Sequence, residues 1–341
     1  LSIRRQRQMC IRDRYNSYIF HRKDIYKEAW GNNCPNSKAI KDKDEILSIC
    51  DKGIERINDF KKLCKENNID DYKLQILELH SKLVSGKGAF LYILNDMPDE
   101  MEQLFYISYQ LTYEILVNNI VRGAELLTQS AERVVTSIAK TGNVKLLNEI
   151  YESYIKEIEN LKKNKNISHL LKKNSMGRVE YGILPREAML YRKIATVGEK
   201  LNWNSDDGIR SMYQDSLNKL NELCTDKDYS ENQISVLKDY KRVVYVDFGR
   251  FERKYGNYDR AINYFEEACL ISERLIEKSK KNIDVFLIKS YIDYMELCNN
   301  LNVHNELYTR LYNRVRDWMT ETPYCDKALK DRFNRLTLPE H

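Results

Sequence analysis

Ser85-Gly86-Lys87-Gly88 combines small residues with one cation, the materials from which a loop can cradle a phosphate. A phosphate loop, however, also needs an earlier Gly where Ser81 stands, a Ser or Thr where Gly88 follows the lysine, and a preceding strand. The stretch therefore reads as a turn between two helices. The histidines (His21, His80, His169, His304 and His341) form neither an HExxH pattern nor an i,i+4 pair that could hold zinc. His80 falls on an amphipathic stretch and reads as a surface or half-buried residue. Asp206-Asp207-Gly208 lacks the alternating carboxylates and distal Glu of a calcium loop, and reads as the N-cap of a helix starting near Gly208. There is no GxSxG, and no Cys/His pairing suggests a nucleophile. These residues lead to the expectation of no catalytic centre, no metal and no cofactor.

The elements that carry these residues are helices. The chain of 341 residues has only 12 Gly and 5 Pro, too few for a sandwich or barrel with turns every ~8–12 residues. Asp44 to Asn67 places apolar residues at 46, 47, 50, 54, 57, 60 and 64, one face of a helix. Pro98 suits a first helical position, and Asp99 and Glu100 suit the N-terminal dipole. A stripe at 101, 104, 105, 108, 111, 112, 115 and 116 follows. Ala124, Leu127, Ala131, Val134, Val135 and Ile138 define the next helix, Gly142 stops it, and Val144 to Leu161 begins another. Residues 164–185 break the pattern and mark a linker. The eight cysteines show no CxxC and read as reduced thiols, with Cys50, Cys64, Cys269 and Cys298 as small hydrophobes in apolar stripes.

Beyond the linker the helices become repetitive. Residues 242–275 place Tyr245, Phe248, Gly249, Gly256, Tyr258, Ala261, Phe265 and Ala268 at positions 4, 7, 8, 15, 17, 20, 24 and 27 counted from Arg242. Small residues stand where two helices must approach, and Gly256 stands at the turn between them. This pattern resembles the tetratricopeptide repeat. It departs from that repeat in Tyr245 for the usual Trp, in Glu252 where an aromatic is expected, and in the missing Pro at position 32. Weaker echoes lie 52 residues upstream, at Ile209, Tyr213, Ser216 and Leu223, and 47 residues downstream, at Tyr308, Tyr312 and Val315. Leu190, Ile194, Val197 and Leu201, and Tyr291, Met295 and Cys298, supply the paired helices. The expected fold is all-α: a helical-hairpin α-solenoid over residues 186–341, with 326–336 as a capping helix. An irregular helical region, 15–163, precedes it and reads equally as a bundle or a degenerate solenoid. Gly249 should face Ala261 or Phe265 across one hairpin.

The resemblance implies a groove, lined by the first helix of each pair, that binds a peptide or protein. Carried over residue by residue, the groove positions are Val243, Val246, Arg250, Arg253 and Lys254, with Ser290, Asp293 and Asn300 on the next first helix. The cations could pair with carboxylates of an acidic partner. The alternative is a solvated charged face. The function expected is a non-catalytic interaction module. The other reading is the C-terminal sensor arm of a larger bacterial regulator, a transcription factor or signalling ATPase whose effector domain lay upstream.

Charge and hydropathy bound the partners. The formal net charge is +5, and residues 1–14 hold five Arg against one Asp, so most of that excess sits in the first 14 residues. That segment resembles translated sequencing-adapter read-through, the alternative being a genuine basic arm, and it is expected to pack against nothing. The remainder is too nearly neutral for direct nucleic-acid binding. No apolar run reaches the ~20 residues of a membrane span; Leu104 to Ile120 is broken by Gln110, Thr112 and Glu114. A cytoplasmic location is the expectation.

Overall fold

With so few residues to interrupt them, the periodic stretches run on as long helices. The computed structural model describes residues 37–67, 73–279, 285–321 and 327–337. The expectation for residues 1–14 lies outside the described residues. Within them the protein is all-α, with no strand. Thirteen α-helices succeed one another: α1 Ser37–Glu66, α2 Lys73–Leu94, α3 Pro98–Asn118, α4 Ile120–Thr141, α5 Val144–Lys163, α6 Ser168–Lys172, α7 Ile183–Leu201, α8 Asp206–Thr225, α9 Glu231–Lys254, α10 Tyr258–Ser279, α11 Val285–Asn300, α12 Glu306–Glu321 and α13 Lys327–Phe333. Two units divide the chain, one running to Ser175 and including Val197–Trp203, the other formed by Met176–Thr196 and Asn204 onward.

In the first unit each helix packs on its neighbour in sequence. The caps are local chemistry: the Asn119 and Asn143 side chains accept from the Arg122 and Leu146 amides, satisfying orphan N–H groups of α4 and α5. Between α3 and α4 only Asn119 intervenes, and a Cβ on Gly123 would stand 2.3 Å from the Leu116 Cα. Only glycine permits that close a reversal. Next-but-one helices also meet. Arg122 of α4 reaches Glu78 of α2 at 3.2 Å, and Tyr109 of α3 reaches Ser153 of α5 at 3.0 Å. Contacts with the next helix and the next but one are the pattern of a stacked array. Residues 164–185, expected as a linker, carry α6 and two turns of 3-10 helix, and bury Ile167, Leu170 and Val179. The division between the two units falls inside this stretch, after Ser175, with Ile167 and Leu170 on the first unit's side and Val179 on the second's.

The second unit is built of helix pairs. In α7–α8, Ala188 O accepts from Ser216 Oγ at 2.7 Å and Thr196 lies 3.0 Å from the Tyr213 hydroxyl, so the two run antiparallel. In α9–α10, a Cβ on Gly249 would lie 2.9 Å from the Phe265 ring, the expected facing. Gly256 closes the hairpin in the left-handed region, φ 77°, and Ser230 opens α9 with a capping box shared with Gln233. Ala261, Phe265, Ala268, Tyr291, Met295, Cys298, Tyr308 and Val315 join one core through α10, α11 and α12. Described Cys50, Cys64, Cys269 and Cys298 are buried free thiols.

Ala261 is fully buried in that core. Ala261→Leu should overpack it and cost about 1–3 kcal/mol in urea unfolding. Asn263→Leu, two residues on at an exposed position, should stay within ~0.5 kcal/mol. Equal losses would place the close seam elsewhere.

Candidate functional site

Arg250, Arg253 and Lys254 do reach the surface at the end of α9, but they arrive there already engaged. Arg250 donates to Asp293 Oδ2 through Nε at 2.8 Å and Nη2 at 2.5 Å, and approaches Asp247 at 3.4 Å. Arg253 lies 3.7 Å from Glu296 and over the Phe265 ring. Lys254 is exposed, with Nζ 5.4 Å from the Tyr255 ring. On the far side of Asp293, Arg332 of α13 donates Nη2 to Oδ1 at 2.7 Å and also makes two 2.8 Å bonds to Glu296. On the near side, Arg192 of α7 donates to Asp247 at 2.5 Å. One line of alternating charge thus crosses the first helices α7, α9, α11 and the terminal α13.

The depths of the two signs differ at Asp293. The Asp293 side chain is 4% exposed, whereas those of Arg250 and Arg253 are 44% and 33% exposed. At Asp293 the carboxylate lies beneath the Arg250 guanidinium, whereas Asp247 and Glu296, 16% and 23% exposed, lie level with Arg192 and Arg332, 17% and 27% exposed. The hydrogen bonds to Glu296, opposed by burial and joined by the bonds to Asp293, raise the Arg332 pKa above its ordinary value. Its charge is fixed at any physiological pH.

Several expectations need correction. Val246 lines no groove: it is buried in the core that also holds Ala261, Phe265 and, from α11, Ile288, Tyr291 and Met295. Asp293 and Ser290 are buried as well, so neither is offered to a partner. Val243 is half-buried and Asn300 exposed. The carboxylates expected from an acidic partner at Arg250 are supplied by the next first helix. Arg332, Glu296, Asp247 and Arg192 escaped the sequence reading. The signal available for them was the i,i+3 spacing of Asp247, Arg250 and Arg253 against Asp293 and Glu296.

The Ser85–Gly88 stretch is not a turn. It lies inside α2, where Gly88 admits the Phe105 ring of α3, to within 2.9 Å of the position a Cβ would take. Buried Lys87 bonds Asp51 of α1 at 2.6 Å and Glu100 of α3 at 2.5 Å. Burial alone would lower its pKa, but those hydrogen bonds outweigh it and raise it. His80 is buried rather than surface or half-buried, and its Nδ1 accepts from Lys61 Nζ at 3.1 Å. Burial, with the Lys61 charge behind it, lowers its pKa to about 4. Asp206 and Asp207 form the first turn of α8, and the cap is Ser205, one residue earlier than expected. Among the described residues no His/Cys/Asp/Glu group is arranged to hold a metal, and no helix is long and apolar enough to cross a membrane.

Fold and site together define a class: an all-α array of stacked helix pairs with a charge ladder across its first helices. No protein-family model and no curated protein matches the chain. Among solved structures it is similar to the crystal structure of BtubC (BKLC) from P. vanneervenii, at a TM-score of 0.51 and 14% identity, over 88% of this chain and 95% of that one. At that identity the likeness concerns the fold alone.

Two outcomes are expected. Asp293→Ala takes from Arg250 and Arg332 the buried anion they share, leaving them Asp247 and Glu296, so it should cost about 1.5–3 kcal/mol. In a double-mutant cycle with Arg250→Ala the losses should fall short of additive by ~1 kcal/mol or more. Additivity would mean the pair contributes nothing. His80 stays neutral in the folded chain while an unfolded His protonates near ~6.5. Its contribution, about 3 kcal/mol at full size, should be present above that pH and be lost as pH falls from 6.5 towards 4. The stability gap between wild type and His80→Gln should narrow over that window, and a constant gap would refute the assignment.

Proposed function

We propose that the protein is a non-catalytic interaction module whose second unit presents the Arg250–Lys254 end of α9 to an acidic protein or peptide. The observation that carries this is the depth of one pair: the Arg250 guanidinium stands at the surface over an Asp293 carboxylate that is buried. The pairing holds the arginines in place, so an incoming carboxylate meets donors already ordered. Guanidinium offers several N–H groups: Arg250 bonds Asp293 through Nε and Nη2, and its Nη1 reaches Asp247 only at 3.4 Å, so a ligand carboxylate can compete for that donor. Arg253, held by a single 3.7 Å ion pair, has the most to give. The tetratricopeptide resemblance of residues 242–275 supports the same reading, since that family uses its first helices for recognition.

A labelled decaglutamate peptide tests this on the purified chain. Arg253→Glu should weaken binding about tenfold, in line with the ~1.5–3 kcal/mol of a well-formed charge-assisted contact. The loss should shrink as salt screens it. The variant should unfold within ~1 kcal/mol of wild type, because Arg253 is a third exposed and its ion pair is long. Undiminished binding by the variant would make this cationic end a solvated face.

A further inference from the structure

The last helix in first position is unlike its predecessors. α9 has 24 residues and α11 has 16, but α13 has seven. A helix so short has no stability of its own and exists because it is docked. Its docking is fully specified. Leu329, Phe333 and Leu336 are buried, and the Phe333 ring lies 4.8 Å from that of Tyr312 on α12. Arg332 takes Asp293 and Glu296. Just beyond the helix, Thr337 O accepts from the Tyr308 hydroxyl at 2.8 Å, and Thr337 Oγ1 donates to Asn299 Oδ1 at 2.8 Å.

The end face of α11 and α12 therefore selects a pattern: Leu-x-x-Arg-Phe in helical form, then a turn that brings in a second Leu three residues on, as in Leu329–Leu336. Without α13, Asp293 Oδ1 loses the partner that Arg332 supplies, and Glu296 keeps only the long pair to Arg253. Two under-compensated carboxylates beside Tyr312 repel an acidic ligand and favour a cationic, aromatic one. This is the opposite preference from the Arg250–Lys254 end. Every contact that holds α13, from the three apolar side chains to the Arg332 bonds, is one that a second segment of the same pattern can make, so the two compete for one face.

We propose that this end face is a receptor for a partner's short amphipathic helix and turn of the Leu-x-x-Arg-Phe-x-x-Leu kind, and that α13 is its built-in occupant, displaced when the partner binds. The proposal rests on the interaction-module reading in taking the array as a receptor, and adds a second site with its own chemistry.

The probe is a fluorescein-labelled peptide of residues 327–337, added to the full-length chain. In the Arg332→Glu/Phe333→Ala chain the resident helix no longer competes, so the peptide should bind about tenfold more tightly than to wild type. The same peptide with Glu in place of its Arg should show no such gain. Equal binding of both peptides, or no gain over wild type in a chain that keeps its helical circular dichroism, would overturn the proposal and leave α13 a fixed cap. If the double variant loses helicity beyond one short helix, Arg332→Gln is read by the same two criteria. The measurement needs neither decaglutamate nor Arg253, so its failure is distinguishable from failure of the interaction-module reading.

Discussion

A buried carboxylate gripped by two guanidiniums is the interaction on which the second unit depends. It occurs three times, each at a different kind of seam. Asp293 joins first helices through Arg250 and Arg332. Glu252, fully buried, receives Arg210 of α8 at 2.8 Å and lies 3.8 Å from Arg260 of α10. Glu273 of α10 meets Arg314 and Arg310 of α12 at 3.0 and 3.5 Å and the Tyr291 hydroxyl at 2.8 Å. Apolar burial is non-directional and would tolerate one hairpin sliding a turn along its neighbour. Such a slide would strand these carboxylates, and an unpaired buried charge costs more than the apolar contacts of that turn return. Register is thus fixed by the ion clips, while cohesion comes from the core they surround.

The helix pair over residues 242–275 was legible because its determinants are local. Gly249, Gly256, Ala261, Phe265 and Ala268 answer to the geometry of one hairpin, and all the distances involved lie within some 25 residues of chain. The lateral pairing was not legible. An offset of 47 residues, read from the second helices, placed the right face of α11 beside α9, but the first helices pair 43 residues apart, Arg250 with Asp293. Four residues are about one helical turn, so the face came out right and the facing residue wrong. Chemistry followed the error: cations without visible partners looked reserved for a ligand.

The Lys87 region shows the reverse failure. Two glycines within three residues suggest a break to any reading by propensity, since each weakens a helix by about 1 kcal/mol relative to Ala. Packing overrides that preference. Gly88 gives room to Phe105, and Lys87 between Asp51 and Glu100 ties α2 to both of its neighbours. Glu252 belongs to the same kind of case, standing where the repeat pattern expects an aromatic. Phe251, one place earlier, supplies the missing ring and is itself fully buried, which leaves position 252 open to the ion clip.

Stability and recognition in this chain draw on the same residues, and that limits how the surface can specialise. Asp293 cannot be exchanged without loosening both α9 and α13, and Arg250 spends two of its donors on it. Arg253 and Lys254 lie at the C-terminal end of α9, where the helix dipole also favours cations. Arg253 meets its carboxylate, Glu296, only at 3.7 Å, where Arg250 meets Asp293 at 2.5 Å. Substitution at these two positions can change the charge shown to a partner with little effect on the stack. At the other end of the ladder the opposite holds, because the α13 guanidinium bonds two acidic residues of α11, one of them buried. Holding the helices in order thus falls to Asp293 and the two arginines that grip it.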